Sequence, residues 1–261
     1  MRFHILTLFP EAFEGPVRHS MLGRAIQRGL LSVQITDIRS YTTDAHGTAD
    51  DYQFGGGHGM VLKPEPIFDA VADTLLPYGK GRSTEFPIVL LSPQGRKLDQ
   101  ELVLELAAAP GLVILCGHYA GVDERVRTHL ATHDVSIGDY VLTGGELAAM
   151  VLVDAVSRFT PGVVGSAENV QEDSITSGLL QHPLYTRPAD FRGIGVPEIL
   201  LSGHHANIER WRREESLRRT LRSRPDLLAR AELSADDEKF LAGLGYSVDD
   251  GGIESGSNPT A

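Results

Sequence analysis

One cysteine, one tryptophan and four methionines are all that the 261 residues contain of those types. The lone Cys116 excludes an internal disulfide, and with no second thiol nearby it argues against a zinc site. It closes an apolar run, which suits a small buried hydrophobe. No apolar stretch approaches the roughly 20 residues that span a bilayer. The start, Met1-Arg2-Phe3-His4-Ile5-Leu6, lacks the layout of a signal peptide, so a cytoplasmic location is expected. Positive charge is scarce as well: the formal net charge is -11. Phosphate binding needs positive potential, which argues against nucleic acid for the surface as a whole. It does not argue against one face. From His204 to Arg230 eight arginines stand against four acidic residues, a composition that reads either as a solvated helix face or as a backbone-binding one.

What is present is an ordinary globular composition, 41% apolar and 23% charged, long enough for one large or two modest domains. Phe3 to Leu8 reads as a buried strand stopped by Phe9-Pro10. A helix carrying Met21, Leu22, Ala25 and Ile26 inward ends near Gly29, and Val33 to Thr36 alternates as a second strand. Ile67, Val71 and Leu75, four apart, predict one face of a helix over 64–76. A regular series follows: strand 88–91, helix 98–108, strand 112–116, helix 123–132, strand 135–137, helix 146–159. Continuous apolar strands alternating with helices indicate a parallel sheet covered on both faces.

Three of those strands run into glycine: Leu90-Leu91-Ser92-Pro93-Gln94-Gly95, Ile114-Leu115-Cys116-Gly117-His118-Tyr119 and Ser136-Ile137-Gly138-Asp139-Tyr140-Val141-Leu142-Thr143-Gly144-Gly145-Glu146. The last reads as a strand, a turn, a return through Tyr140-Val141-Leu142 and a second break before the helix. In an open α/β sheet such edges gather where ligands bind. The stretch from Thr42 to Gly59 is polar and then glycine-rich. Lys63 falls outside the spacing of a phosphate-cradling loop, so the segment reads equally as a mobile loop or a substrate-facing one. Thr160-Pro161-Gly162 opens a stretch to about Ser177 with no periodicity, and Gly251 to Ala261 reads as a frayed tail.

Taken in order, Leu8-Phe9-Pro10-Glu11, Gly55-Gly56-Gly57, Leu91 to Gln100, Cys116-Gly117-His118-Tyr119, Asp123-Glu124-Arg125-Val126, Ser136 to Glu146, Val156-Ser157-Arg158-Phe159, Glu172-Asp173-Ser174, Leu200-Leu201-Ser202-Gly203 and Arg210-Trp211-Arg212 make the chain resemble the bacterial tRNA (guanine-37-N1)-methyltransferases. The resemblance covers nearly the whole chain. It implies an α/β fold, a parallel sheet flanked by helices whose C-terminal part is tied in a deep trefoil knot, and a small, mainly helical C-terminal domain. The implied division is 1–160 for the knotted domain, 161–175 for a flexible linker and 176–261 for a tRNA-binding domain. Periodicity alone could not have suggested a knot, since knots are nearly absent from proteins.

The same resemblance implies S-adenosylmethionine as methyl donor, held bent by the three glycine-edged loops. Its contacts would be Leu91, Ser92, Pro93 and Gln94 in the first, Gly117 and Tyr119 in the second, and Ile137, Gly138, Asp139, Tyr140, Val141, Leu142, Gly144 and Gly145 in the third. It implies a homodimer with the active site at the subunit interface, and a tRNA whose target guanosine follows another guanosine. Methyl transfer to guanine N1 requires removal of the proton on that nitrogen. A carboxylate with a reference pKa of about 3.9 is a weak base for it, so charge building on O6 needs a fixed cation. By their places in the resemblance, Asp173 is the base and Arg158 the cation. In isolation they read as a solvated linker residue and a partner of a helix dipole. Where many relatives carry glutamate after the second-loop tyrosine, this chain has Ala120, so Mg2+ is possible but no metal ligand is assigned. A knotted ribose 2′-O-methyltransferase and a non-catalytic RNA-binding module remain as alternatives. The first has no acidic N–H to remove, and the second predicts binding without turnover.

Overall fold

In a computed structural model, residues 1–79, 83–165 and 173–246 are described. Most of the central linker (166–172) and the terminal tail lie outside them. Contacts divide the chain into two units, Met1–Ala167 and Glu168–Ala261.

The first unit is built on five parallel strands in the order β2-β1-β6-β5-β7: β1 (Arg2–Thr7), β2 (Ser32–Asp37), β5 (Ile88–Lys97), β6 (Gly111–Cys116) and β7 (His133–Ser136). The two-residue period of a strand distributes their apolar side chains between two cores. Phe3, Ile5, Val89, Leu91, Leu112, Ile114 and Cys116 point to one face, where α1 (Ser20–Gln27), α3 (Gln100–Ala107) and α5 (Glu146–Ser157) cover them. Leu6, Leu90, Val113 and Leu115 point to the other, under α2 (Pro64–Leu75) and α4 (Glu124–His129). The inner strand β6 and residues 88–91 of β5 are therefore apolar throughout, as burial on both faces requires, whereas the edge strands β2 and β7 mix polar and apolar residues. None of the helices among the described residues is long and apolar enough to cross a membrane.

Two segments differ from their sequence reading. The glycine-rich stretch is a hairpin, β3 (Asp50–Tyr52) against β4 (Met60–Leu62), whose second strand is fastened to the main body by Leu62 N–H to Gly121 O and Asp123 N–H to Leu62 O, 3.0 Å each. Three-residue strands carry too few side chains to show a period. Residues 137–145 do not return as a strand; they form bends with one bridge, His118 to Gly144, because no partner strand lies beside Tyr140-Val141-Leu142. β5 runs on to Lys97, but Leu91 and Arg96 both stand opposite Val135, so residues 92–95 leave the ladder and rejoin it at the same place.

The second unit contains a two-stranded ribbon, β8 (Asp190–Phe191) and β9 (Ile194–Gly195), with the helices α6 (Glu198–Leu201), α7 (His205–Ser223), α8 (Pro225–Leu228) and α9 (Ala235–Gly243). Leu179, Leu217, Leu228 and Leu241 form its small core. The Asp237 carboxylate ties α7 to α9: it accepts from Arg213 Nε (3.1 Å) and Nη2 (2.9 Å) and closes a capping box with Ser234. Burial pushes this carboxyl up, but the hydrogen bonds from Arg213 and Ser234 outweigh it and hold it below the usual aspartate range. The arginines of α7 are largely engaged within their own unit. Arg212 pairs with Glu209, Arg213 with Asp237 and Arg218 with Glu215, and Arg219 donates to Gln181 O.

Candidate active site

Because the five strands are parallel, their C-terminal ends share one edge of the sheet, and the loops leaving β5, β6 and β7 meet there around a cavity of about 350 Å³. The first wall is Leu90–Gln94, turned by Gln94 N–H donating to Ser92 Oγ at 3.1 Å. The second runs from Gly117 to Val122 and includes Tyr119, held in the left-handed region at φ 57°, a conformation that costs a non-glycine residue on the order of 1 kcal/mol. It is braced from outside by the β3–β4 hairpin, through Ala120 N–H to Met60 O at 3.0 Å. The third wall runs from Ser136 to Gly145, folded by a reciprocal pair: Ser136 Oγ donates to Gly138 O (3.0 Å) and accepts from Gly138 N–H (3.2 Å).

Every expected cofactor contact lines this cavity except Asp139, whose side chain is exposed and pairs with Lys97 at 3.3 Å. Arg158 sits at the C-terminal cap of α5, where its N–H donates to Asp154 O. Asp173 is half-buried in a bend at the start of the described part of the second unit, so the two expected catalytic side chains are carried by different units. Ala120 lines the cavity, in the place where many relatives were expected to carry glutamate.

Beneath the loops is a polar cluster that sequence reasoning missed. Glu146 opens α5 and is nearly buried, with 8% exposure. The hydroxyl of buried Thr7, at the end of β1, donates to its Oε1 at 2.7 Å, and Thr7 in turn accepts from Phe9 N–H at 2.9 Å. Its Oε2 lies 3.9 Å from His118 Nδ1, a buried nitrogen with no hydrogen-bond partner among the described residues. The imidazole packs on Phe9, ring centres 4.7 Å apart. One carboxylate therefore connects the end of β1, the second loop and the third. Two glycines allow the close approaches here. A Cβ at Gly144 would run into the Glu146 carboxylate and the His118 ring, and one at Gly145 would lie 2.8 Å from the Cys116 Cα while Gly145 N–H donates to Gly117 O at 2.8 Å. Burial, and then the Glu146 charge, push the Cys116 thiol well up, so it stays protonated and serves as packing rather than as a nucleophile.

A second charged group braces the outer rim. Arg127, on α4, pairs with Asp134, reaches Glu124 at 3.4 Å and donates from Nη2 to Ser92 Oγ at 3.2 Å. Arg127 and Glu124 both line the cavity. Spacing alone could not single them out, because they reach the rim only through the packing of α4. The site can take a ligand with one flat apolar part and several polar edges: apolar walls come from Leu91, Ile137 and Leu142, and the glycine-edged loops offer backbone N–H and C=O groups.

The family described as tRNA (Guanine-1)-methyltransferase TrmD matches residues 1–230 of the chain. Among curated proteins, the tRNA (guanine-N(1)-)-methyltransferase of Dehalococcoides mccartyi strain CBDB1 is 55% identical over 241 residues, covering 92% of this chain and 96% of the relative. The protein of the same name from Moorella thermoacetica is 54% identical, covering 92% and 95%, and that from Staphylococcus haemolyticus 52%, covering 92% and 96%.

Proposed function

Because the chain belongs to the tRNA (guanine-1)-methyltransferase family, we propose that it transfers a methyl group from S-adenosylmethionine to N1 of guanosine 37 in tRNA, with preference for a preceding guanosine. The observation that carries this reading is the cavity at the ends of three parallel strands, with three glycine-edged loops as its walls. S-adenosylmethionine fits the lining, with room for its flat adenine against Leu91, Ile137 and Leu142 and for its polar edges along the loop backbone. When bound, it supplies a methyl group activated on a positively charged sulfur.

The protein's own part is to prepare the guanine. Asp173 accepts the proton from N1, which exposes the nitrogen lone pair. Arg158 faces the negative charge that grows on O6 as the proton leaves, and this eases removal of the proton by a carboxylate. Glu146 and Thr7 keep the second and third loops at a fixed separation, so the donor is held in one geometry. Arg158 and Asp173 belong to different units, which suits chemistry completed only when tRNA orders the linker 161–175 between domains 1–160 and 176–261.

The sheet unit is read as a deep trefoil knot; the excursion of residues 92–95 from the β5–β7 ladder supports it. A homodimer with the active site at its interface is supported by exposed apolar side chains beside the cavity. Tyr140 and Val141 stand out on the third loop, and Leu147 and Val151, four apart, share one side of α5. Cytoplasmic location follows from the substrate. An Asp173→Ala variant separates the roles: methyl transfer falls by at least a hundredfold while S-adenosylmethionine binds with unchanged Kd. Transfer at the normal rate would remove Asp173 as the base, and lost cofactor binding would make its role structural.

A further inference from the structure

The second unit has a cavity of its own, about 450 Å³, bounded by residues 182–189, by Leu200 and Leu201 of α6, and by Ile208 and Arg212 of α7. We propose that it receives an unstacked nucleobase of the RNA loop, one that presents carbonyl or ring-nitrogen acceptors and is distinct from the methylated guanine. The inference rests on the tRNA-binding reading above and adds to it a site for a second base.

Three observations carry it. The walls are apolar and open to solvent: Leu184 is 70% and Leu201 63% exposed, and the ring of Tyr185, half exposed, lies 6.5 Å from that of Trp211. A flat ligand can stack on such a wall whatever its sequence, as unpaired bases do on aromatic side chains. The guanidinium donors in the lining are only partly engaged. Arg212 spends Nη1 on Glu209 at 2.7 Å, and Arg187, exposed at the cavity, has no ion-pair or hydrogen-bond partner among the described residues. An apolar protein segment filling the cavity would bury these donors unpaired, whereas a base edge would satisfy them. The lining also holds acceptors. His182 Nδ1 donates to Pro183 O at 3.1 Å, and the hydroxyls of Tyr185 and Thr186 can accept from a base N–H. Flat walls, guanidinium donors and hydroxyl acceptors match the mixed edge of a nucleobase better than a phosphate, which offers acceptors only.

The test is a double-mutant cycle on the full-length protein. Equilibrium binding of a fluorescent tRNA transcript is measured for wild type, Arg187→Ala and Leu201→Glu, against transcripts made abasic at one anticodon-loop position at a time. Both substituted residues are exposed, so folding is not at stake. The expected result is a loss of about tenfold or more in affinity for each variant. One abasic position should cost wild type a similar factor and cost the variants nothing further. Kd for S-adenosylmethionine should not change. Unchanged affinity in both variants, or losses that multiply at every abasic position, overturns the proposal. So does a changed oligomeric state with normal tRNA affinity, which would make the cavity a protein interface. Failure of the methyltransferase reading would show instead as absent transfer by wild type, which the binding cycle does not depend on.

Discussion

Replacing Glu146 by alanine tests how the loops are held. Its carboxylate accepts one short hydrogen bond from a fully buried hydroxyl and lies within ion-pair distance of His118. A hydrogen bond to a charged group contributes about 1.5–3 kcal/mol net. The acidic side chain in the first turn of α5 adds about 0.3–1 kcal/mol with the helix dipole. Against these stands the cost of keeping a carboxylate nearly buried, which its removal recovers in part. The balance is a loss of about 2 kcal/mol for Glu146→Ala, and of about 1 kcal/mol for Glu146→Gln, which keeps an acceptor for Thr7. In a unit of this size that lowers the thermal midpoint by about 4–8 °C for alanine and about half as much for glutamine. Cofactor Kd should rise in the same order, because Gly144 loses the group it closes over. Thermal unfolding by circular dichroism and titration calorimetry with S-adenosylmethionine read both effects. A midpoint within 1 °C of wild type for alanine, or glutamine as damaging as alanine, would refute the reasoning.

Gly145→Ala puts a Cβ 2.8 Å from the Cys116 Cα and strains the Gly145–Gly117 hydrogen bond; at least a tenfold rise in cofactor Kd by calorimetry is expected, with the far-ultraviolet spectrum unchanged. Asp237→Asn loses the doubly bonded partner of Arg213 and costs about 1–3 kcal/mol at pH 7. Since the folded carboxyl is held below the usual aspartate range, its contribution is complete above about pH 4 and disappears as pH falls through the lower folded value, so denaturation midpoints of wild type and variant should converge in acid. Leu152→Ala empties a fully buried site in the core under α5 and costs about 2–5 kcal/mol in urea unfolding.

The inner strands and their covering helices were legible because burial on both faces leaves nearly continuous apolar runs, as in Leu112 to Cys116, and the edge strand at Val33 to Thr36 because it alternates. The loops around the cavity were legible because glycine interrupts each run at the same end of the sheet. What could not be read has a physical reason in each case. The hairpin at 50–62 is held by backbone bonds to the second loop, which leave no mark in side-chain pattern. Nothing in the sequence around Glu146 marks it as buried; only Thr7, 139 residues away in sequence, shows it buried and bonded. The cavity of the second unit is assembled from 182–189, 196–201, Ile208 and Arg212, no two of which form a motif. The arginine-rich helix looked like a free basic face, yet carboxylates of its own unit engage Arg212, Arg213 and Arg218.

The measurement that tests the central claim most directly is transfer of labelled methyl from S-adenosylmethionine to an unmodified tRNA transcript with guanosine at 36 and 37, beside one in which 37 is adenosine. The account predicts label on the first alone, recovered as N1-methylguanosine after digestion. Label on a ribose oxygen, on both transcripts, or on neither while the cofactor binds would contradict it.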